Sequence, residues 1–456
     1  MLNKILRIFI SFLIVAMPVV SFAEDADLSK IMARLEKLEK ENESLKSELG
    51  TVKQQLTTYQ SKVDAQTATA KAAVTAAPAA APAAGSVLTK GASALQGPLE
   101  VVTSKKMPIQ IYGTFFGDMM WQDSNMSEYP TNAPTSTGDN KGNFYMAARG
   151  TRMGIDMIGP DVGIGENGKL LGKVEFDFLG APTTNPDTNT SPVLRLRHAY
   201  ADLKYPSWDI LFGQTWDFFA PLNPPLLNPY ILWRCGNIGI RHVQARATKT
   251  FKVCDGTLTL QGGGLEADDS SALQIKSQMP VWAGYIAYEN EIYGMPYYIG
   301  SGGVFGRQEV SSSMTKEVDI WGVTGVFKIS PHKMIDVQGE CYVGQALAPF
   351  MANSTVSTIN DNVDGKSVMG NGGWVAVTVK PWDYLKFNGG IGVDNPFTET
   401  GNTAIWEYNY SYFCNAMYNL TPNCVLGIEY QRFRTKYWGQ NGGDGDRIMT
   451  SVIYYF

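Results

Sequence analysis

The chain has 456 residues, of which 44% are hydrophobic, 11% aromatic and 18% charged, and its formal net charge is −5. A chain with this negative balance offers no basic surface, which excludes nucleic acid as a partner. The five cysteines are spread without CxxC spacing, so neither a disulfide framework nor a zinc site is expected, and no pattern calls for a cofactor.

Residues 1–23 have the pattern of a secretory signal peptide. Lys4 and Arg7 precede an apolar stretch that ends in the small-x-small sequence Ser21-Phe22-Ala23. A membrane anchor is the alternative, but the apolar stretch is shorter than the roughly 20 residues that a spanning helix needs. Cleavage after Ala23 predicts an exported chain with 36 basic and 43 acidic side chains. No later stretch is as apolar, so any membrane insertion must use strands.

Residues 24–66 predict a coiled coil. From Leu28 to Val63 the apolar positions step by three and four without a slip, over five heptads. The apolar stripe is too narrow for a helix packed on a globular domain. Asn42 is the single polar residue of the seam and is expected to fix its register. A coiled coil needs partner chains, which predicts an oligomer; residues 67–106 follow as an Ala/Pro-rich linker.

Residues 107–456 alternate large apolar residues with polar or small ones, in segments of roughly 9 to 14 residues with aromatic residues near their ends. We count sixteen such segments, the first from Ile109 to Gln122 and the last from Arg447 to Phe456. An even number is what a single-chain bacterial barrel requires. Long and short connections alternate, which is typical of outer-membrane barrels with long loops outside and tight turns in the periplasm.

The alternative of a soluble β-sandwich or propeller would share this alternation. The last strand argues against it, because a bare aromatic strand that ends in Tyr454 and Phe456 would be an aggregation hazard in a soluble protein. The strand resembles the C-terminal signal of outer-membrane proteins. The predicted fold is therefore an all-β transmembrane barrel of about 16 antiparallel strands, preceded by an N-terminal α-helical coiled coil on the periplasmic side.

Several strings resemble the DcaP-like trimeric outer-membrane porins and, more loosely, the phosphate-selective porin-like proteins. They are Ile111-Tyr112-Gly113 and the segments 170–180 (LLGKVEFDFLG), 194–203 (LRLRHAYADL) and 211–216 (LFGQTW). The resemblance covers the first half of the barrel best. It implies a homotrimer of sixteen-stranded barrels that passes small anionic solutes such as dicarboxylates.

Alternation along the strands predicts which side chains line the pore. In the third strand Val174 and Phe176 form an outward apolar face, and in the fourth Leu196 and Tyr200 do so. The residues predicted to line the pore are Arg152, Lys173, Glu175, Asp177, Arg195 and Arg197. Two interpretations stay open: the charged pairs only rigidify the barrel, or they form an arginine ladder beside carboxylates whose field orients anions.

Three other arginines have an ambiguous placement in the sequence. Arg149 has the wrong parity for the lumen unless a bulge occurs near Gly150. Arg241 and Arg246 are of opposite parity, so one of the two is expected to face the lumen.

The proline-rich segment from Trp216 to Asn237, with Arg234 near its end, is the candidate constriction loop. The alternative is that it caps the outer rim or latches onto a neighbouring subunit. Proline stiffens such a loop, as a segment inside a wet pore requires.

The leading function is a passive channel for small hydrophilic, anionic solutes. The alternative is a structural anchor whose coiled coil tethers the membrane to peptidoglycan. An enzyme is not expected, because His198 has outward parity, His332 lies in a predicted turn, and His242 has no recognisable serine partner. Arg432 and Arg434, on the outward face near the top of a strand, are read as contacts to lipopolysaccharide in the surrounding outer-membrane lipid.

Overall fold

The computed structural model describes residues 99–102, 107–123, 142–163, 167–180, 192–266, 275–276, 279–311, 315–352, 367–397 and 406–456. The predicted signal peptide and coiled coil lie outside these ranges, as does most of the predicted linker. Among the described residues, no helix is long and apolar enough to cross a membrane.

The described residues form nineteen strands in one antiparallel sheet. The strands are β1 (Leu99–Val102), β2 (Pro108–Gln122), β3 (Asn143–Ala147), β4 (Arg152–Val162), β5 (Gly168–Gly180), β6 (Val193–Lys204), β7 (Trp208–Trp216), β8 (Arg241–Val253), β9 (Gly256–Leu265), β10 (Ile275–Lys276), β11 (Val281–Ile292), β12 (Met295–Ser311), β13 (Thr315–His332), β14 (Ile335–Gln345), β15 (Met369–Trp382), β16 (Leu385–Pro396), β17 (Trp406–Thr421), β18 (Cys424–Tyr437) and β19 (Gly443–Tyr455).

The sheet closes into a barrel because the last strand pairs with the first long one. β19 and β2 are in register from Arg447 opposite Gln122 to Tyr455 opposite Thr114. β3 and β4 share one position beside β2, while β1 and β10 are short additions at the barrel ends. The remaining positions number sixteen, which confirms the predicted barrel. Closure gives each long strand, β2, β4–β9 and β11–β19, a partner on both sides, as a strand that crosses a membrane requires.

The C-terminal residue completes the closure. Phe456 N–H donates to the Gly113 carbonyl at 3.0 Å, and Gly113 N–H donates to the Phe456 carbonyl at 2.9 Å. The Phe456 ring lies over Gly113, where an added Cβ would fall 2.2 Å from ring carbon Cζ. Glycine at this position therefore makes room for the terminal aromatic ring.

The two faces of the barrel have opposite chemistry. Outward side chains are apolar, and Phe144, Phe212 and Phe305 are more than 60% exposed. Inward side chains on the same or neighbouring strands are polar and buried. Examples are Asp118, Gln122, Gln244, Asn388, Asn415 and Glu429. Apolar outside and polar inside is the pattern of a transmembrane barrel, the reverse of a soluble one.

Residues 217–240, which connect β7 to β8 and which we call the inner loop, lie inside the barrel. The Thr324 hydroxyl on β13 donates to the Phe219 carbonyl at 2.5 Å, and Trp374 Nε1 on β15 donates to the side-chain oxygen of Asn237 at 3.1 Å. Both strands are far from β7 around the ring. The loop therefore crosses the interior, as the constriction hypothesis requires.

A buried carboxylate on β18 anchors the middle of the inner loop. Glu429, which is 1% exposed, accepts from the backbone N–H groups of Leu227 at 2.7 Å and Asn228 at 3.1 Å. Asn415 Nδ2 on β17 donates to the same carboxylate at 2.9 Å. A loop tip inside a barrel has no sheet partner for its own N–H groups, and the wall provides one instead.

Apolar packing fixes both ends of the inner loop. Phe218, Phe219 and Ile238 join a buried cluster with inward residues of β9 and β11–β14. The short 3-10 helix Ala348–Phe350 after β14 adds Phe350, whose ring lies 5.1 Å from that of Phe219. Leu232 packs with residues of β15 and β17, and Leu227 with residues of β2 and β19, so the inner loop packs along much of the wall from β9 round to β2.

Candidate functional site

Three neighbouring strands bring an arginine, a carboxylate and a second arginine into one row. In the register of the sheet, Arg152 on β4 lies opposite Asp177 on β5, and Asp177 lies opposite Arg195 on β6. Arg195 binds Asp177 with two parallel hydrogen bonds, of 2.9 Å from Nε and 2.7 Å from Nη2. This is the fork geometry in which arginine holds a carboxylate most firmly.

Arg197 joins the same group through a β-bulge. Glu175 pairs with His198 while Phe176 pairs with Leu196, so Arg197 is the extra residue on β6. Its Nη1 donates to Asp177 Oδ2 at 2.8 Å, and its Nε donates to Glu175. Arg195 and Arg197 therefore share two carboxylates.

The bulge reverses the alternation for the residues that follow it. His198 and Tyr200 were predicted to face outward, and both predictions are wrong. His198 Nδ1 lies 3.0 Å from Thr215 Oγ1 and is 8% exposed. Tyr200 lies opposite the inward Lys173. Parity therefore does not exclude His198 from the interior of the barrel.

A second series of polar contacts adjoins this group. Lys173 forms an ion pair of 2.8 Å with Asp156 and donates to the Tyr112 hydroxyl at 2.9 Å. Tyr112 in turn donates to Glu175 Oε2 at 2.8 Å. Lys173 is therefore balanced by Asp156. Tyr112 was not predicted as a site residue, although it opens the first barrel strand and shares the inward face.

Arg152 differs from Arg195 and Arg197 in its contacts. Within the described ranges it forms no ion pair, although Glu175, Asp177, Arg195 and Arg197 all lie within electrostatic range. Its Nε is buried and has no hydrogen-bond partner there. Arg152 thus adds a positive charge that its own contacts do not neutralise.

The bulge proposed near Gly150 is present. From Ala147 to Arg152 the chain advances five residues while β2 advances four, from Asp118 to Thr114. Arg149, in this interruption, is 6% exposed and donates to the backbone carbonyls of β5. It supports the turn between β3 and β4.

Both ambiguous arginines of β8 lie inside, so the prediction that only one does is wrong. Arg246 shares the inward face with Gln244, to which it donates at 3.4 Å. Arg241 is the first residue of its strand, where alternation constrains it least. Its guanidinium lies over the rings of Trp216 and Trp233, and Trp233 belongs to the inner loop.

The contacts of Arg234 that fix its position are made by its backbone. Its backbone N–H donates to the Met351 carbonyl at 2.8 Å, and its carbonyl accepts from Asn409 Nδ2 at 2.7 Å. Asn409 lies on β17, and Arg234 itself has φ of 61°. Its backbone is thus fixed at β17, and a pore-lining role of its side chain stays a prediction.

The charges around the row are unequal. Four arginines from β4, β6 and β8 are close to only two carboxylates, both on β5. The neighbouring ion pair of Asp156 with Lys173 adds no net charge. The inner loop has one carboxylate, Asp217, which lies 2.8 Å from His242 Nδ1 and accepts from the Ile240 N–H. The members of this arginine row are Arg152, Arg195, Arg197, Arg241, Glu175 and Asp177. Its formal balance is positive.

Arg432 and Arg434 lie on the outward face of β18, as predicted. Arg432 pairs with Asp446 at 2.9 Å, and Arg434 pairs with Asp444 at 3.3 Å. Their charges are matched by β19 rather than left open to the surroundings.

Comparison with solved structures identifies the architecture. The outer membrane channel DcaP of Acinetobacter baumannii superposes with a TM-score of 0.65 at 20% identity, over 78% of this chain and 99% of that one. The chain has the fold of an outer-membrane porin. Two other porin folds match with a TM-score of 0.51. They are an anion-selective porin from Comamonas acidovorans (11% identity, 77% and 100% coverage) and OmpF of Salmonella typhi in complex with daunomycin (12%, 78% and 100%).

The resemblance to DcaP seen in the sequence is therefore matched by the porin fold. No protein-family model and no curated protein matches the sequence. At these identities the comparison concerns the fold. The solute preference of this chain depends on its own lumen residues.

Proposed function

We propose that this protein is an outer-membrane porin through which small hydrophilic anions diffuse. The observation that carries the proposal is the positive balance of the arginine row beside an inner loop whose one carboxylate, Asp217, is bound to His242. In a narrow passage with low-dielectric walls, fixed charges focus their field on the solute. Carboxylates of the exposed loops act less, because salt screens them within roughly 8 Å.

If every arginine of the row were paired with a carboxylate, as Arg195 and Arg197 are with Asp177 and Glu175, the row would only stabilise the barrel. Arg152 and Arg241 favour the channel interpretation, because their charges have no carboxylate in contact among the described residues. The similarity to an anion-selective porin of Comamonas acidovorans agrees with this proposal. Dicarboxylates are the class of anion that the resemblance to DcaP-like porins implies, and arginine is well suited to bind carboxylates.

Assembly belongs to the same proposal. The heptads from Leu28 to Val63 favour an oligomer, and the resemblance to DcaP-like porins implies a homotrimer with its coiled coil in the periplasm. The outward apolar band is suited to contact with membrane lipid, and lipopolysaccharide phosphates at Arg432 and Arg434 would compete with Asp444 and Asp446. The alternative of a peptidoglycan tether depends on the coiled coil, and a tether would not need a positive lumen.

Swelling of liposomes that contain the purified protein tests the proposal. We expect faster swelling in a small dicarboxylate than in a neutral sugar of similar size, and slower swelling in a diamine. The matched variant is Arg152→Gln, which should reduce the preference for the dicarboxylate and leave sugar entry near the wild-type rate. Equal rates for all three solutes would contradict anion preference, and no swelling would contradict a channel.

A further inference from the structure

Arg241 stands at the junction between the barrel wall and the inner loop. Its guanidinium carbon is 4.4 Å from the ring centroid of Trp216 and 5.8 Å from that of Trp233. Trp216 ends β7, and Trp233 is held in the loop by donating from Nε1 to the Gly239 carbonyl at 2.7 Å. The guanidinium is therefore positioned by two rigid rings, one on each side of the junction.

The partners of Arg241 differ in kind from those of its neighbours. Arg195 and Arg197 use their N–H donors on carboxylates. In the part of the chain that the structure describes, no carboxylate lies within 4.0 Å of the Arg241 guanidinium, and no hydrogen bond from it is formed. An aromatic ring attracts a cation through its quadrupole but has no net charge. The rings hold Arg241 in place without cancelling its charge.

The surroundings make an anion at this position favourable. Arg152, Arg195 and Arg197 all lie within electrostatic range of Arg241, and of the acidic groups Asp177 is the one that acts on it most. Like charges at close range repel, and the cation–π contacts offset only part of that repulsion. A carboxylate or an inorganic anion would supply the missing negative charge and accept from the guanidinium N–H donors.

We propose that Arg241, which is 8% exposed and held by Trp216 and Trp233, is a selectivity-determining residue of the channel whose charge attracts anions as they pass. The proposal rests on the proposed function, since it names a residue that acts in anion passage. Small anions, carboxylates among them, are the solute class that such a fixed positive charge favours.

The first test separates charge from bulk at this position. Arg241→Met keeps a long side chain that packs on the two rings, whereas Arg241→Lys keeps the charge. A unit charge about 8 Å from the ion path in a water-filled lumen changes the local concentrations of anions and cations roughly twofold, in opposite directions. Reversal potentials in a KCl gradient should therefore show the anion-to-cation permeability ratio falling about fivefold in Arg241→Met. The ratio of Arg241→Lys should stay within about twofold of the wild type.

The second test uses channels that are already folded in a planar bilayer. In Arg241→Cys channels, a cationic methanethiosulfonate should raise the permeability ratio, and an anionic one should lower it. Wild-type channels are the control for the native thiols, of which Cys254, Cys341 and Cys414 are exposed. Their ratio should not change with either reagent.

The possible failures are distinguishable. Wild-type channels without anion preference would refute the proposed function, and this inference with it. Wild-type anion preference that persists in Arg241→Met would refute the inference alone and show that Arg241 only supports the loop. The inference is refuted in the same way if neither reagent changes the ratio of Arg241→Cys channels.

Discussion

Asp177→Asn should increase anion preference while it weakens the barrel. The Asp177 carboxylate has 0% side-chain exposure and accepts four hydrogen bonds, two from Arg195, one from Arg197 and one from the Leu179 backbone N–H at 3.1 Å. Asparagine has the same shape but no charge, and its amide N–H₂ must face at least one guanidinium donor.

The substitution changes both the selectivity of the barrel for anions and its stability. Breaking a buried ion pair costs about 3–5 kcal/mol when the remaining charge stays buried. Arg195 is 24% exposed and reaches the lumen, so we expect a smaller loss of unfolding free energy, about 2 kcal/mol. The arginine row becomes more positive by one charge, which should raise the anion-to-cation permeability ratio about fivefold.

Reversal potentials in a KCl gradient measure the first effect, and the temperature of barrel unfolding on a detergent gel measures the second. Asp444→Asn is the matched control, because it removes one carboxylate from the outward face, where it pairs with Arg432 and Arg434. Its permeability ratio should equal that of the wild type. An unchanged ratio in Asp177→Asn would refute the reasoning that lumen charge governs selectivity.

Three further predictions concern the loop, the terminus and the arm. Glu429→Ala removes the acceptor of the Leu227 and Asn228 N–H groups. Single-channel current noise should therefore increase, and the free energy of unfolding should fall by about 1–3 kcal/mol. Current noise equal to that of the wild type would show that other contacts hold the inner loop. Deletion of Phe456 removes its pairing with Gly113, and the heat-modifiable folded fraction in the outer membrane should drop; normal assembly would contradict the role of this residue. Deletion of residues 24–85 should leave trimers with near-normal conductance, as checked by cross-linking, and monomers would show that the arm holds the assembly together.

The barrel could be predicted because its signal is repeated in every strand. Two-residue alternation, tight turns and the terminal aromatic strand all depend on local sequence, and each supports the same architecture. The position of the inner loop was open in the sequence. Its position depends on contacts such as Glu429 with Leu227, which are 202 residues apart along the chain.

The site was predicted less completely because alternation fails at a bulge. Glycine at position 150 marked one interruption, and the odd parity of Arg149 suggested it. The bulge at Arg197 has no such marker, so His198 and Tyr200 were assigned to the wrong face. The choice between Arg241 and Arg246 was left open because a residue at a strand end can turn inward regardless of its parity, and because the contact of Arg241 with Trp233 depends on the fold of the inner loop.

The reversal potential of the wild-type channel in asymmetric KCl tests the central claim most directly. The net charge of the chain is negative, whereas the arginine row is positive, so overall charge and lumen charge predict opposite signs. We predict a reversal potential with the sign of chloride preference, which shrinks as ionic strength rises. A reversal potential with the sign of potassium preference would contradict the account.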